Sequence, residues 1–168
     1  MATKGESGPN GFVAHDHAAC IERALAQADA HCDREGLRFT KVRRRTLEIL
    51  LESHVALGAY DVLARLGDDG LGSQPPLAYR ALGFLVDNDF AHRVERLNAF
   101  VACARPGTRH DPAFMICTTC RAVAETPAPS GRGVLERSAR ASGFRIERLV
   151  REAEGVCPNC QDDEHEVA

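Results

Sequence analysis

Pro75-Pro76-Leu77-Ala78-Tyr79-Arg80-Ala81-Leu82-Gly83-Phe84-Leu85 is followed by Phe90-Ala91-His92-Arg93-Val94-Glu95 and then by Ala99-Phe100-Val101-Ala102-Cys103. The two prolines suit the first turn of a helix, where a missing N–H has no intrahelical acceptor to lose. Ala78, Leu82 and Leu85 recur at helical spacing, so one stripe is apolar from Pro75 to about Asn88, with Ser73 as the expected cap. Tyr79, Arg80 and Gly83 fall largely off that stripe. The two short apolar segments that follow, joined by Arg96-Leu97-Asn98, read as a β-hairpin.

Upstream, three more amphipathic segments lead into this unit. Ile21, Leu25, Ala28 and Cys32 lie on one helical face between Ala18 and about Arg34, with Gly36 placed to terminate it. Thr40 caps a second helix to about Ser53, whose buried side is Leu47, Leu50 and Leu51. A third runs from Ala59 to about Gly67 on Val62, Leu63 and Leu66, ended by Asp68-Asp69-Gly70-Leu71-Gly72. Helices followed by a hairpin make a winged-helix pattern. The expected organisation is a disordered tail at 1–17, a winged helix at 18–103, a hinge at 104–109, a second domain at 110–160 and a loose acidic tail at 161–168.

The second domain reads as α/β, so the chain as a whole is α+β. Ala113–Ile116 and Ala122–Glu125 are expected strands, Val134–Ser142 a helix, and Phe144 to about Arg151 a further strand. Its cysteines carry the chemistry. Cys117-Thr118-Thr119-Cys120 and Cys157-Pro158-Asn159-Cys160 are separated by 36 residues. Two such turns supply four thiolates to a closed zinc tetrahedron, which has no place for water and suits a structural role. A disulfide or thioredoxin-like redox use is the alternative, but that motif needs a strand before and a helix after a single pair. Cys20 and Cys32 read as thiols of the first helix, and His15-Asp16-His17 either as a metal site or, as is commoner for a tail, as a solvated triplet.

Composition sets the outer bounds. The chain has 168 residues, 44% apolar and 27% charged, with seven Phe, two Tyr and no Trp. That is room for one domain or two small ones with mostly aliphatic cores. Lys and Arg number 21 against 24 Asp and Glu, a net charge of −3, which excludes a protein that coats nucleic acid through overall basicity. Even residues 1–103 hold 12 cations against 14 anions, so any nucleic-acid contact rests on where the cations sit. No segment approaches the ~20 apolar residues of a membrane span. The N-terminus lacks a secretory h-region, and a cytoplasmic location is expected.

Two dispersed sets remain. His92 and Cys103 precede the hinge, and His110 and Glu125 follow it. Their N/S/O donors suit tetrahedral zinc, and a metal held by all four would pin the domains together; spacing alone equally allows four unrelated residues. Arg38, Lys41, Arg43, Arg44 and Arg45 cluster at the start of the second helix, either as a solvated end or as a phosphate-contacting surface. Tyr79 and Arg80 are candidates for base edges and phosphates in a major groove, with Arg93 and Arg96 toward the backbone.

Taken together, these features resemble the ferric uptake regulator family, in particular its zinc uptake regulator branch. The resemblance runs from about Leu37 to Cys160, through Leu37-Arg38-Phe39-Thr40, Ala59-Tyr60-Asp61-Val62-Leu63, Pro75 to Leu82, Phe90 to Glu95, His110 seven residues before Cys117, and the paired CxxC turns. It implies a DNA-binding winged helix, a dimerisation domain, and structural zinc on Cys117, Cys120, Cys157 and Cys160. It also implies a regulatory zinc on His92, Cys103, His110 and Glu125, and base contacts by Tyr60 and Arg80. The expected function is a zinc-responsive, non-enzymatic repressor of zinc-uptake genes, binding a pseudo-palindromic operator as a homodimer with two zinc ions per chain and no membrane partner. The chain departs from the iron and peroxide sensors of the family at Arg109-His110-Asp111-Pro112, which is poorer in ligands, and has Leu77-Ala78 where Thr-Val is common. An iron or peroxide sensor, a redox sensor and a zinc hydrolase are the alternatives.

Overall fold

The computed structural model describes residues 12, 17–108, 110–128 and 133–165. Most of the expected N-terminal tail, including His15 and Asp16, lies outside these residues, as do Arg109 of the expected hinge and residues 166–168. Four helices come first: α1 (His17–Glu35), α2 (Lys41–Leu51), α3 (Ala59–Asp68) and α4 (Pro75–Asp87). The hairpin is β1 (Ala91–Val94) and β2 (Ala99–Ala102). Then come β3 (Pro112–Cys117), β4 (Val123–Pro127), α5 (Val134–Ala141), β5 (Glu152–Gly155) and α6 (Pro158–His165). The architecture is α+β.

Local chemistry accounts for most helix ends. Thr40 accepts from the backbone N–H of Arg43 at 3.4 Å, and so caps α2. Gly36, with φ of +66°, lets the Leu37 N–H return to the Cys32 carbonyl at 2.8 Å and closes α1. At α4 the cap is Gln74 rather than Ser73, and the cap side chain makes no hydrogen bond to the first turn. With Pro75 and Pro76 as its first two residues, two of the N–H groups otherwise left unpaired at a helix start do not exist.

The largest core joins α1 to α4: Leu47, Leu50, Leu66, Leu82, Leu85 and Phe90 are all fully buried. Ile49, absent from the expected buried face of α2, is buried as well, whereas Leu51 is only half-buried. The hairpin is antiparallel, with Ala91 opposite Ala102 and His92 opposite Val101. Its turn needs a left-handed residue, and Asn98 supplies it with φ of +47°.

The second sheet has the order β4-β3-β5, antiparallel between β3 and β4 and parallel between β3 and β5. A second core ties it to the hairpin, built from Val94 and Val101 on one side and Phe114, Ile116 and Val123 on the other. The loop after α2 joins in, because the Val123 N–H donates to the His54 carbonyl at 2.8 Å.

Two expectations are corrected here. Residues 144–151 are not a strand; the strand is β5, which starts at Glu152. Phe144 and Val150, apolar as a strand would want, are 68% and 44% exposed, and of this stretch Arg151 meets the sheet, its carbonyl taking the Phe114 N–H at 2.9 Å. The tail from Gln161 is not loose through residue 165, because α6 continues to His165. Pro158 suits its first turn, and the Cys160 and Gln161 N–H groups both bond the Cys157 carbonyl at 3.0 Å.

Leu82→Ala should lower the unfolding free energy by about 2–5 kcal/mol, through loss of fully buried methyl groups. Thr40→Ala, which removes one cap, should cost about 1 kcal/mol. Denaturant titration followed by helical circular dichroism reads both.

Candidate metal centres and nucleic-acid face

Cys117 ends β3, Cys120 lies in the turn after it, Cys157 directly precedes α6 and Cys160 lies in its first turn. Parallel pairing of Cys117 with Gly155 is what brings the two CxxC turns together. Arg121, with φ of +61°, reverses the chain so that the Cys117 N–H reaches the Ala122 carbonyl at 2.9 Å. All seven cysteines are free thiols. The Sγ atoms of Cys120 and Cys157 are 3.7 Å apart. That is far beyond a disulfide bond of ~2.05 Å. It matches the ~3.8 Å edge of a tetrahedron with Zn–S bonds of ~2.3 Å.

One donor atom from each of the four residues lies within 4.8 Å of all the others. Backbone N–H groups of Cys120 and Cys157 point at the Cys117 sulfur and draw its thiol down to about 6. The Cys157 thiol beside it and burial push Cys160 up to about 12. Without a cation the group accommodates one thiolate and resists more, so a soft divalent cation fits it. Phe12 packs against this cluster with Val156.

The second set converges across the connection between hairpin and sheet. His92 comes from β1, Cys103 follows β2, His110 precedes β3, and Glu125 lies in β4. Their ligand atoms again lie within 4.8 Å of one another. His110 Nε2 is 3.7 Å from Cys103 Sγ and 2.6 Å from Glu125 Oε1. His92 Nε2 is 3.5 Å from Glu125 Oε2, within ion-pair reach, but it is buried and makes no hydrogen bond. The His92 ring stands edge-on to His110 and tilts against Phe114.

The electrostatics of this second set point to a cation. Burial lowers the His92 pKa against the opposing pull of Glu125, and burial with the Glu125 charge pushes the Cys103 thiol up to about 12. His110 Nδ1 is 2.5 Å from the Thr108 carbonyl, which places its proton there and leaves the Nε2 lone pair for a ligand. Its Nε2 lies 2.6 Å from Glu125 Oε1, and a shared divalent cation would give the orphaned His92 nitrogen a partner. Four protein donors of N, N, S and O type fit zinc.

Residues of the connection itself support the site, and sequence reading misses them. The Ala104 N–H donates to Glu125 Oε2 at 2.8 Å and the Arg105 N–H to Cys103 Sγ at 3.2 Å. Every residue but proline carries an N–H, so no side-chain pattern signals these donors. Phe12 is missed for a similar reason: it is one aromatic in a segment rich in small polar residues.

The five clustered cations divide into two groups. Arg38 and Lys41 are exposed. The other three have partners within the chain. Arg43 lies 3.7 Å from the centre of the Phe84 ring, and Arg44 pairs with Asp29. Arg45 bonds Asp69 at 2.6 Å and Glu52 at 2.9 Å, tying α2 to the end of α3. Tyr60 opens α3 at 67% exposure and Tyr79 stands at 53% on α4. Arg80 is exposed with its Nε–H on the Pro76 carbonyl. Arg93 in the hairpin donates to Asn98 Oδ1 at 2.7 Å.

No protein-family profile matches the chain. The zinc uptake regulation protein of Escherichia coli (strain K12) is 34% identical over 144 residues, covering 85% of this chain and 84% of that protein. A zinc uptake regulator solved in complex with zinc and DNA superposes with a TM-score of 0.80 at 34% identity, over 86% of this chain and 97% of the other. The holo form of XcZur gives a TM-score of 0.74 at 32% identity, over 84% and 99%. With Cys117, Cys120, Cys157 and Cys160 gathered at one point and His92, Cys103, His110 and Glu125 at another, the chain belongs to the zinc uptake regulator branch of the ferric uptake regulator family.

Proposed function

We propose that this chain is a zinc-responsive transcriptional repressor that binds the operators of zinc-uptake genes in the cytoplasm as a homodimer with two zinc ions per chain. The observation that carries this reading is the second donor set. Two of its ligands belong to the hairpin side of the connection at 104–109 and two to the sheet side, so a metal held there ties the hairpin to the sheet. Similarity to a regulator solved with both zinc and DNA supports it.

Zinc held by these residues would supply a divalent charge and a cross-link between the elements that carry them. The residues of the chain do the rest. Cys117, Cys120, Cys157 and Cys160 hold the sheet's far end to α6. His92 and Cys103, once drawn to His110 and Glu125, hold α4 in one orientation relative to the second half. Tyr79 and Arg80 on α4, Tyr60 on α3, and Arg38 and Lys41 at α2 form the face offered to a major groove; Arg43, Arg44, Arg45 and Arg93 buttress it or lie at its edge. In a twofold dimer two such faces meet half-sites about one turn of DNA apart, ~34 Å, on a pseudo-palindrome.

The surface for the second copy is the apolar face of α5 and the segment after it. Val134, Leu135, Phe144 and Val150 are exposed there in the single chain, large apolar side chains of the kind a partner surface covers. No described helix is long and apolar enough to cross a membrane. Four protein donors fill a zinc tetrahedron, which leaves no position for the activated water of a zinc hydrolase; the chain acts as a regulator and not as an enzyme.

Cys103→Ser should leave a folded dimer that has lost one zinc per chain and binds operator about tenfold or more weakly at the same free zinc. Zinc counting and gel shifts over buffered zinc read this, and unchanged zinc dependence would sink the sensor assignment. By linkage, operator DNA should tighten zinc binding by the same factor that zinc tightens operator binding. Cys117→Ser should instead impair folding or assembly; a stable dimer with full zinc content would refute the structural site. Leu135→Glu should give a folded monomer in sedimentation, because its side chain is 59% exposed in one chain.

A further inference from the structure

The tip of the hairpin is held to the second half by contacts that involve none of the eight metal-ligating residues. Glu152, the first residue of β5, accepts the backbone N–H of Glu95 at 2.6 Å through one carboxylate oxygen and that of Arg96 at 2.8 Å through the other. Around this pair, Arg96 meets Glu154 at 3.0 Å and Arg148 reaches the Glu95 carboxylate. The outer ion pairs are exposed on the arginine side, where such pairs contribute little. The Glu152 contact differs in kind. Both its oxygens are used, its donors are main-chain groups, and the bonds are charge-assisted. The two N–H groups converge because the turn closes behind them, the Asn98 N–H bonding the Glu95 carbonyl at 3.1 Å. Successive N–H groups of this sort form a small anion-binding cradle, and here its anion comes from the other half of the same chain.

The hairpin is one ribbon held at two places. Near its open end His92 and Cys103 face His110 and Glu125; at its tip Glu152 holds residues 95 and 96. We propose that Glu152 is a positioning residue, a metal-independent latch that keeps the hairpin in the orientation in which the four donors converge and so sets the free zinc concentration at which the chain responds. This rests on the sensor reading of the His92 site. Chains with the latch engaged have already lost freedom that the four ligands would otherwise have to remove. Breaking it lowers the fraction of binding-competent chains, and apparent zinc affinity falls by that fraction.

The test uses the full chain with Glu152→Ala and Glu152→Gln, and Glu154→Gln as the exposed-pair comparison. Zinc affinity of the weaker site is measured by chelator competition without DNA, alongside zinc content and operator binding over buffered zinc. Glu152→Ala should weaken the sensor site about fivefold or more, with the same shift in zinc for half-maximal operator binding. Glu152→Gln should fall between it and wild type, and Glu154→Gln should match wild type, with one tightly held zinc kept in every variant. If Glu152→Ala does not fold, Glu152→Gln, which keeps the size and one acceptor oxygen, gives the reading. A wild-type chain with two zinc ions and Glu152 variants of unchanged affinity overturns the latch alone, as does a Glu154→Gln effect equal to that of Glu152→Ala. A wild-type chain that binds a single zinc overturns the sensor reading and the latch with it.

Discussion

Apolar packing of Val94 and Val101 against Phe114, Ile116 and Val123 is the contact on which the functional geometry depends. It lays the hairpin on the second sheet, and the period-two alternation of β-strands then decides what else meets. His92 is two residues from Val94 and shares its face of β1, and Cys103 stands in the same relation to Val101 on β2. Glu125 stands opposite Phe114 across β3 and β4. The donors converge because they flank a hydrophobic seam whose register is set by burial. A one-residue slip in the hairpin would turn His92 away from Glu125.

The two candidate metal centres are prepared in opposite ways. At the tetrathiolate, main-chain N–H groups draw the Cys117 thiol down to about 6, so one ligand is readily available as thiolate before any cation arrives. At the mixed site, burial pushes Cys103 up to about 12 and lowers the His92 pKa, so Cys103 resists ionisation and His92 favours its neutral form. Such a site gives up a proton to take a metal, and it carries a buried carboxylate and an orphaned imidazole nitrogen when it has none. The first arrangement suits a permanent staple and the second a site that fills and empties.

Charge is distributed with the same economy. A net charge of −3 and an acidic first half look unpromising for DNA. The structure sharpens the question, because Arg44 and Arg45 neutralise acids of the same chain. What remains exposed on the helical face is small: Arg38, Lys41, Arg80 and two tyrosines. Local placement is what counts, since screening confines each cation's influence to about 8–10 Å.

The positions of α1 to α5, the hairpin and the CxxC pairs were legible in the chain, because each is written in periodicity, caps or spacing within a few residues; α6 was not, since its acidic, polar segment reads as a loose tail. Nor were residues 144–151: their apolar pattern reads as a strand, but of this stretch it is the Arg151 carbonyl that meets the sheet, taking the Phe114 N–H at 2.9 Å. The split of the basic cluster was also hidden, since Asp29, Phe84 and Asp69 approach it only through helix packing. So was the grip of Glu152 on two main-chain N–H groups more than fifty residues away, which no side-chain pattern announces. Sequence by itself determined which donors exist and on which side of the connection each lies, because ligand chemistry is a property of side-chain type. Only the tertiary structure decided that four of them meet at a point, because that depends on strand register and on a hydrophobic seam formed between distant parts of the chain.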